Sequence, residues 1–447
     1  METPNKGDSR WGSLFKNDLQ GMLLPILLIT IIGSVNIFSA TYISSIYENT
    51  GLLGYFLKHM TFLLLSMAVG VILYRYDYRQ LQKPHMLQRI MIVTLIGMIL
   101  VLVIGAVING ARRWIVIGPV SIQPSEFAKL AALIWTAAKL STMRKWEKPK
   151  HTNPLINLQG YFSERISYML PMLIWPTIFA GLTILQPDMG TTVLIFGFSF
   201  VLIYLAGFDG KFFGGAFAIA GFLGFIAARM SPYRWERIQS WFDPWPHAQD
   251  MGYQTVQGLL AVGSGGILGE GFMQGTSKYF YLPEAHTDFA FAVWAQEMGF
   301  IGAVFVVVLI AAFTYFGFRI SNKARDEFGK WLAMGITLLI SGQALFNIAM
   351  VCGIMPVTGV PLPFVSYGGS SLLMNFMAIG LLASIGRRNV EGVKPVGTAE
   401  PLPSLREETQ SRFKPAATTR TNKTNMPGPF KPQPSKKSTR RQTKFER

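Results

Sequence analysis

Residues able to do chemistry gather at a few places in this chain, most densely in Leu282-Pro-Glu-Ala-His-Thr-Asp288. Asp288 stands where a long apolar pattern begins, and two readings compete for it. One is an N-cap accepting the free N–H groups of a first helical turn, with Thr287 as the alternative cap. The other is a partly desolvated acid whose raised pKa suits a general base. Beyond it, Ala292, Ala295, Gly299 and Gly302 recur at helical spacing on roughly the same side, which turns that face toward other helices rather than lipid. Glu297, deeper in the same pattern, reads as an internal hydrogen-bonded acid that braces the bundle.

Other polar groups fall in short separate clusters. Ala111-Arg-Arg-Trp114 is followed by Gln123-Pro-Ser-Glu-Phe-Ala-Lys129, where Pro124 suits the first turn of a helix. Glu126 and Lys129 then share a face. They form an internal pair, or they line a site, because an ammonium inside a span is costly without a partner or a cavity. In Gln186-Pro-Asp-Met-Gly190, Asp188 either caps the next helix or faces the same site. The prolines of Gly359-Val-Pro-Leu-Pro-Phe-Val-Ser-Tyr-Gly-Gly-Ser-Ser371 fix an irregular path, and its small residues let the last helix approach its neighbours. Gly263-Ser-Gly-Gly-Ile-Leu-Gly-Glu-Gly271 lacks the strand-turn-helix setting of a nucleotide loop; it is a flexible or closely packed turn, or it admits a lipid-linked phosphate. Cations near an isolated carboxylate suit a substrate with a phosphorylated head and a lipid tail. The cations would hold pyrophosphate, and the carboxylate would activate a hydroxyl.

The elements that must carry these clusters are membrane helices. Half of the 447 residues are hydrophobic and only 15% are charged. Apolar runs near the ~20 residues needed to cross a bilayer occur at 21–41, 57–76, 90–109, 126–140, 168–186, 189–207, 212–229, 289–317, 330–352 and 367–386. The expectation is an all-α polytopic membrane protein of about ten transmembrane helices. The short 126–140 run, with Lys129 inside it, has a re-entrant segment as its alternative. Polar residues 1–20 lead straight into a full-length span, which reads as a retained anchor and not a cleaved signal.

Basic residues are retained on the cytoplasmic side. With residue 1 inside, the alternate segments on that side hold 33 of the 41 Lys and Arg. Both termini are therefore expected in the cytoplasm, with 230–288 a large extracytoplasmic loop between helices 7 and 8. Trp235, Trp241, Trp245, Tyr253, Tyr279, Phe280 and Tyr281 give that loop an interfacial character. Residues 389–447 read as a disordered basic cytoplasmic tail outside the ten-helix domain of 21–388. The single cysteine, Cys352, excludes an intramolecular disulfide, and five scattered histidines argue against a histidine metal site. Nothing structured supports nucleic-acid binding.

Taken together, Arg112-Arg-Trp, Gln123-Pro-Ser-Glu, Gln186-Pro-Asp, Gly263-Ser-Gly-Gly, Leu282-Pro-Glu-Ala-His-Thr-Asp-Phe289 and Ser366-Tyr-Gly-Gly-Ser-Ser371 closely resemble the SEDS family (shape, elongation, division and sporulation) of RodA and FtsW proteins, from the first span to about Arg388. Arg112-Arg-Trp, Asp243-Pro-Trp and Gly252-Tyr-Gln look more like FtsW, while Val357-Thr-Gly-Val-Pro-Leu-Pro also fits RodA. Ala290 departs from the bulkier aliphatic usual there, which touches local packing only.

The resemblance implies peptidoglycan glycosyltransferase activity at the bacterial cytoplasmic membrane: lipid II is polymerised on the outer face and undecaprenyl pyrophosphate released, for division or elongation. It also implies a class B penicillin-binding transpeptidase and other divisome or elongasome membrane proteins as partners. By motif, Asp288 is the catalytic acid and expected base. Arg113 and Lys129 would face the pyrophosphate, with Gln123, Glu126, Asp188 and Ser366 lining the cavity; Arg112, Gln186, Glu284, His286 and Tyr367 stand in the same motifs as substrate-binding residues. A divalent cation, magnesium or manganese, could assist, although the sequence shows no metal cage and no organic cofactor is implied. The rivals are a lipid II flippase, whose key polar residues should lie near the bilayer midplane, and a noncatalytic scaffold for the transpeptidase.

Overall fold

The computed structural model describes residues 17–47, 51, 53–108, 110–118, 120–143, 158–230, 232–279 and 281–390. Residues 1–16 and the tail expected from 389 lie outside that set, except that the last helix includes Asn389 and Val390.

Each of the ten apolar runs becomes a long helix. They are α1 (Asp18–Tyr47), α2 (Gly54–Arg75), α3 (Pro84–Ile104), α4 (Pro124–Thr142), α5 (Leu158–Leu185), α6 (Met189–Leu205) and α7 (Gly210–Arg229), then, after two short helices α8 (Pro232–Phe242) and α9 (Tyr253–Ser264), α10 (Ala290–Asn322), α11 (Glu327–Val351) and α12 (Gly369–Val390). Among the described residues seven are long and apolar enough to cross a membrane, and α6, at 17 residues, is a shorter apolar helix. The run at 126–140 is one continuous helix, α4.

Between α3 and α4 the all-α expectation fails locally. Strands β1 (Ala106–Ile108), β2 (Ala111–Ile117) and β3 (Val120–Ile122) form a small antiparallel sheet in the order β1-β2-β3. The apolar run 90–109 concealed β1, because an apolar β-branched stretch such as Val107-Ile108 suits a strand as well as a helix. The loop at 230–288 is likewise partly helical, holding α8 and α9.

Burial has the pattern expected when the solvent is lipid. Leu27, Leu64, Val93, Val103 and Phe222 are exposed, while Asn36, Ser66, Gln343 and Asn347 are buried. In water that much exposed apolar surface would drive association; in hydrocarbon it is satisfied, and polar groups turn inward to find partners. Helix α4 is buried almost all round. Its alanines, Ala128, Ala131, Ala132, Ala137 and Ala138, let neighbours close on it.

The chain alternates between two ends. At one end Tyr78 and Arg79 bond Asp326, Arg388 pairs with Asp77 (3.0 Å), Arg319 and Lys323 hold Asp18 (2.9 and 2.7 Å), and Arg165 meets Asp209 (2.9 Å). These segments are the ones expected on the side of the N-terminus. The motifs singled out above meet at the other end.

Helix α10 is broken at Gly299, whose φ of 68° and ψ of −167° lie outside the helical region. Freed backbone groups cannot stay unpaired in a bilayer, and the glycine-rich segment 263–271 pairs with them. Phe300 and Ile301 N–H donate to the carbonyls of Gly266 (2.9 Å) and Ile267 (3.3 Å), while those of Gln296 and Glu297 accept from Glu270 (3.0 Å) and Gly271 (3.1 Å). Trp294 Nε1 takes the Gly302 carbonyl at 2.9 Å. The segment is thus a packed strap, and the N–H groups of Glu270 and Gly271 are consumed by α10 rather than turned to a phosphate. Gly299→Ala would place a Cβ 2.3 Å from the Gly269 nitrogen at an unfavourable φ. It is expected to destabilise the protein by about 2 kcal/mol or more, read as a lower unfolding midpoint in detergent.

Candidate active site

Four loops converge on Asp288. The first leads into α4. Gln123 is fixed from two sides, its N–H donating to Ser370 Oγ (3.0 Å) and its Nε2 to Asp188 Oδ2 (3.2 Å). Asp188 caps α6, accepting the Thr191 N–H (3.0 Å) and hydroxyl (2.9 Å). Arg113, on β2, reaches the same turn, with Nε donating to the Gln186 carbonyl (3.1 Å) and Nη2 to that of Pro187. Gln186 is buried and its Nε2 donates to the Met98 carbonyl (3.2 Å). Arg112 points the other way along the strand: it is exposed, with Nη1 a long 3.4 Å from the carbonyls of Leu102 and Val103.

Asp288, in contrast, caps nothing. Helix α10 starts at Ala290, its cap residue is Phe289, and no side chain caps it. Thr287 Oγ1 instead turns back to Glu284 Oε2 (2.6 Å). Both capping expectations at this helix are therefore corrected: the loop curls before the helix begins, with Thr287 and Phe289 N–H both on the Glu284 carbonyl (3.1 Å each) and Glu284 itself at φ 54°. Ala290 is fully buried, and its carbonyl is taken by Asn36 Nδ2 at 2.8 Å, so this start packs directly against α1.

The backbone of Asp288 is held while its carboxylate is left available. Asn347 Nδ2 donates to the carbonyls of Asp288 and Val360, at 2.7 Å each. That clamp sets the carboxylate beside Gly359, where an added Cβ would lie 3.2 Å from Asp288 Oδ2. No described residue donates a hydrogen bond to the carboxylate. Desolvation, then the negative charges of Glu284 and Asp188, push its pKa up to about 7, against the opposing pull of Arg113. A carboxyl group so placed changes charge near neutral pH, where a general base works best.

Ser366 and Tyr367 tie the third and fourth loops together. The buried Ser366 Oγ accepts the Leu362 N–H (2.8 Å), and the Tyr367 N–H donates to the His286 carbonyl (2.8 Å). Lys129 and Glu126 stand apart. The Lys129 side chain is wholly buried, and its Nζ donates to Glu126 Oε1 (2.8 Å) and Gln343 Oε1 (2.9 Å). The internal pair is what the structure holds; Lys129 meets pyrophosphate only if that pair opens. Gln343 Nε2 in turn holds the Pro361 carbonyl at 2.9 Å.

Gln343 and Asn347 are the positioning residues that sequence reasoning passed over. Their signal was available: two carboxamides four apart, hence on one face, inside the apolar run 330–352.

The family model for the FtsW/RodA/SpoVE cell cycle proteins matches residues 20–391. The chain belongs to this family. Stage V sporulation protein E of Bacillus subtilis (strain 168) is 35% identical over 374 residues, covering 83% of this chain and 97% of that one. The probable peptidoglycan glycosyltransferase FtsW of the same organism is 32% identical over 374 residues, covering 81% and 89%. Among solved structures, the rod shape determining protein RodA of Thermus thermophilus superposes with a TM-score of 0.57 at 25% identity, covering 85% and 99%. A chain from "Structural coordination of polymerization and crosslinking by a peptidoglycan synthase complex" reaches a TM-score of 0.66 at 26% identity, covering 83% and 98%. The FtsW/RodA/SpoVE match ends where the basic tail begins, and every loop that converges on Asp288 lies inside it. The curated relatives include several named FtsW, the branch toward which the motifs at 112, 243 and 252 lean.

Proposed function

We propose that this multi-pass membrane protein is a peptidoglycan glycosyltransferase that polymerises lipid II on the outer face of the bacterial cytoplasmic membrane. The observation that carries this reading is Asp288: a desolvated carboxylate, uncapped and accepting no hydrogen bond from a described residue, near Arg113 and with its pKa pushed up to about 7. Asp288 takes the proton from the acceptor sugar's 4-hydroxyl. The freed oxygen attacks the donor's anomeric carbon, the bond from that carbon to the pyrophosphate oxygen breaks, and its electron pair leaves with undecaprenyl pyrophosphate. One displacement inverts the anomeric centre. Arg113, with donors left after its two carbonyl bonds, is suited to the departing pyrophosphate. The positive-inside count supports the orientation, with both termini in the cytoplasm.

A divalent cation finds no ready cage: among the described residues no three His, Cys, Asp or Glu are spaced to hold one. A class B penicillin-binding transpeptidase is the proposed partner, in keeping with the solved synthase complex that the fold resembles. The flippase reading is disfavoured because Asp288, Gln123 and Asp188 lie in loops and at helix starts and Arg113 on a strand, not within the long helices where alternating access needs its ligands.

The test is glycan synthesis from lipid II by the purified protein with its transpeptidase, with Asp288→Ala as control. Chains from wild type alone support the reading; equal yields would remove Asp288 from the chemistry, and no chains from either would leave flippase or scaffold. A second expectation concerns pH. The base must be deprotonated, so the rate should rise through about pH 7. Glu284→Gln removes one of the negative neighbours that raise this pKa. The acidic limb should then move to lower pH, by up to about one unit, measured as initial polymerisation rate against pH.

A further inference from the structure

Three half-buried rings meet beside the Asp288 loop. Tyr55, at the start of α2, lies 5.8 Å from His286 and 5.7 Å from Tyr367 between ring centroids, and His286 and Tyr367 are 5.7 Å apart. The planes are inclined by 57°, 71° and 63°, so the rings form a nearly equilateral edge-to-face cluster. His59, one turn along α2, is buried behind it, 6.2 Å from Tyr367. The Tyr367 N–H bond to the His286 carbonyl (2.8 Å) joins the cluster to the loop two residues before Asp288.

Edge-to-face contacts stabilise such a cluster on their own, but packing alone would favour full burial. Here the front three rings each keep part of their surface outside the core, and each carries a polar group at its rim. A pyranose ring has the complementary chemistry: C–H bonds on its faces, which are attracted to the electron-rich face of an aromatic ring. The rings come from three separate elements, so the cluster forms only in the folded bundle, at a fixed place relative to the Asp288 carboxylate.

We propose that Tyr55, His286 and Tyr367 form a stacking platform for a sugar ring of the substrate, holding it beside Asp288. This deepens the glycosyltransferase reading and rests on it. Tyr55 is the new member: it belongs to none of the sequence motifs, and it reaches the site only through the folding of α2 against the last loop.

The experiment compares binding of lipid II, which carries sugars, with binding of undecaprenyl pyrophosphate, which has the same lipid and pyrophosphate without them. Both are measured on the full-length protein in detergent with Asp288→Asn as background, so that turnover does not interfere. Tyr55→Leu should weaken lipid II binding about 3- to 10-fold, as expected for one aromatic contact. Affinity for undecaprenyl pyrophosphate should stay put, and Tyr55→Phe should restore what Tyr55→Leu lost. Tyr367→Leu provides a second reading if the α2 substitution unfolds the protein, which a melting curve detects. Equal losses for both ligands, or none for either, would overturn the platform while leaving polymerisation intact. If the parent protein binds neither ligand and wild type makes no glycan, the glycosyltransferase reading itself fails and the platform falls with it.

Discussion

Asp288→Asn is expected to lower the rate of lipid II polymerisation by about 10²- to 10⁴-fold, the usual contribution of a positioned general base. The asparagine keeps the size of the side chain and leaves the Asn347 bond to the backbone carbonyl in place, so the loop should hold its shape. Initial rates across pH 5.5 to 8.5 give the check. Wild type should rise through about pH 7 and the variant should stay flat. Stability offers an independent control with a definite sign. Folding raises the pKa of Asp288 from 3.8 to about 7, so the fold favours the protonated carboxyl. That stabilisation is present in full below pH 4 and is lost as pH rises through about 7. Asparagine cannot ionise, so at pH 8 the variant should melt higher than wild type, and the gap should close in acid. A variant that loses activity and also melts lower at pH 8 would point to a folding defect instead of a missing base.

The second large effect concerns a pair that the chemistry does not use. Lys278 Nζ donates to Glu297 Oε1 (2.8 Å) and to Ser39 Oγ (3.0 Å), and both charged side chains are almost wholly buried, at 1% and 2% exposure. Ser39 also donates to Glu297 Oε1 at 2.6 Å. Removing one member strands the other charge in a medium that cannot solvate it. Lys278→Met should therefore cost about 3–5 kcal/mol, whereas Lys278→Met with Glu297→Gln should recover most of the loss. Denaturant unfolding of the two singles and the double variant makes the comparison. A double variant as unstable as the worse single would mean that the packing of these side chains, not their charge, holds α1, α10 and the loop carrying Lys278 together.

How much of this was legible in the sequence depended on the kind of signal each feature left. Apolar length gave all ten long helices, because crossing hydrocarbon imposes a minimum run that few other structures need. Glu297 also read correctly as an internal brace, though its partner Lys278 lay in a loop and could not be paired with it without the fold. Asp288 was legible as an isolated carboxylate and illegible as an uncapped one. Its place before an apolar run is what a cap would show, and only the curl from Glu284 to Phe289 moves the helix start past it. Lys129 shows the converse limit: the sequence required a partner or a cavity, and Glu126 with Gln343 supply the partner. The strands at 106–122 were hidden because a short apolar β-branched stretch is periodic in neither sense. Tyr55 left no signal, since a tyrosine near a helix end is ordinary until two distant loops bring rings against it.

The break in α10 also works as a ruler. From Phe300 to Asn322 there are 23 residues, about 34 Å of helix at ~1.5 Å per residue, enough by itself for the ~30 Å of hydrocarbon. The nine residues before Gly299 are surplus to that length. Their surroundings agree: Ala290 through Glu297 are all buried in protein, while Phe300, Ile301, Val304 and Phe305 begin a face open to lipid. By that length Gly299 is expected near the edge of the hydrocarbon, with the half-helix before it a post under the Asp288 loop. A substrate anchored by its tail arrives at a fixed height of its own, so inserting one turn between Phe300 and Asn322 would lift the post by ~5.4 Å and leave the site out of reach of a lipid-tethered head.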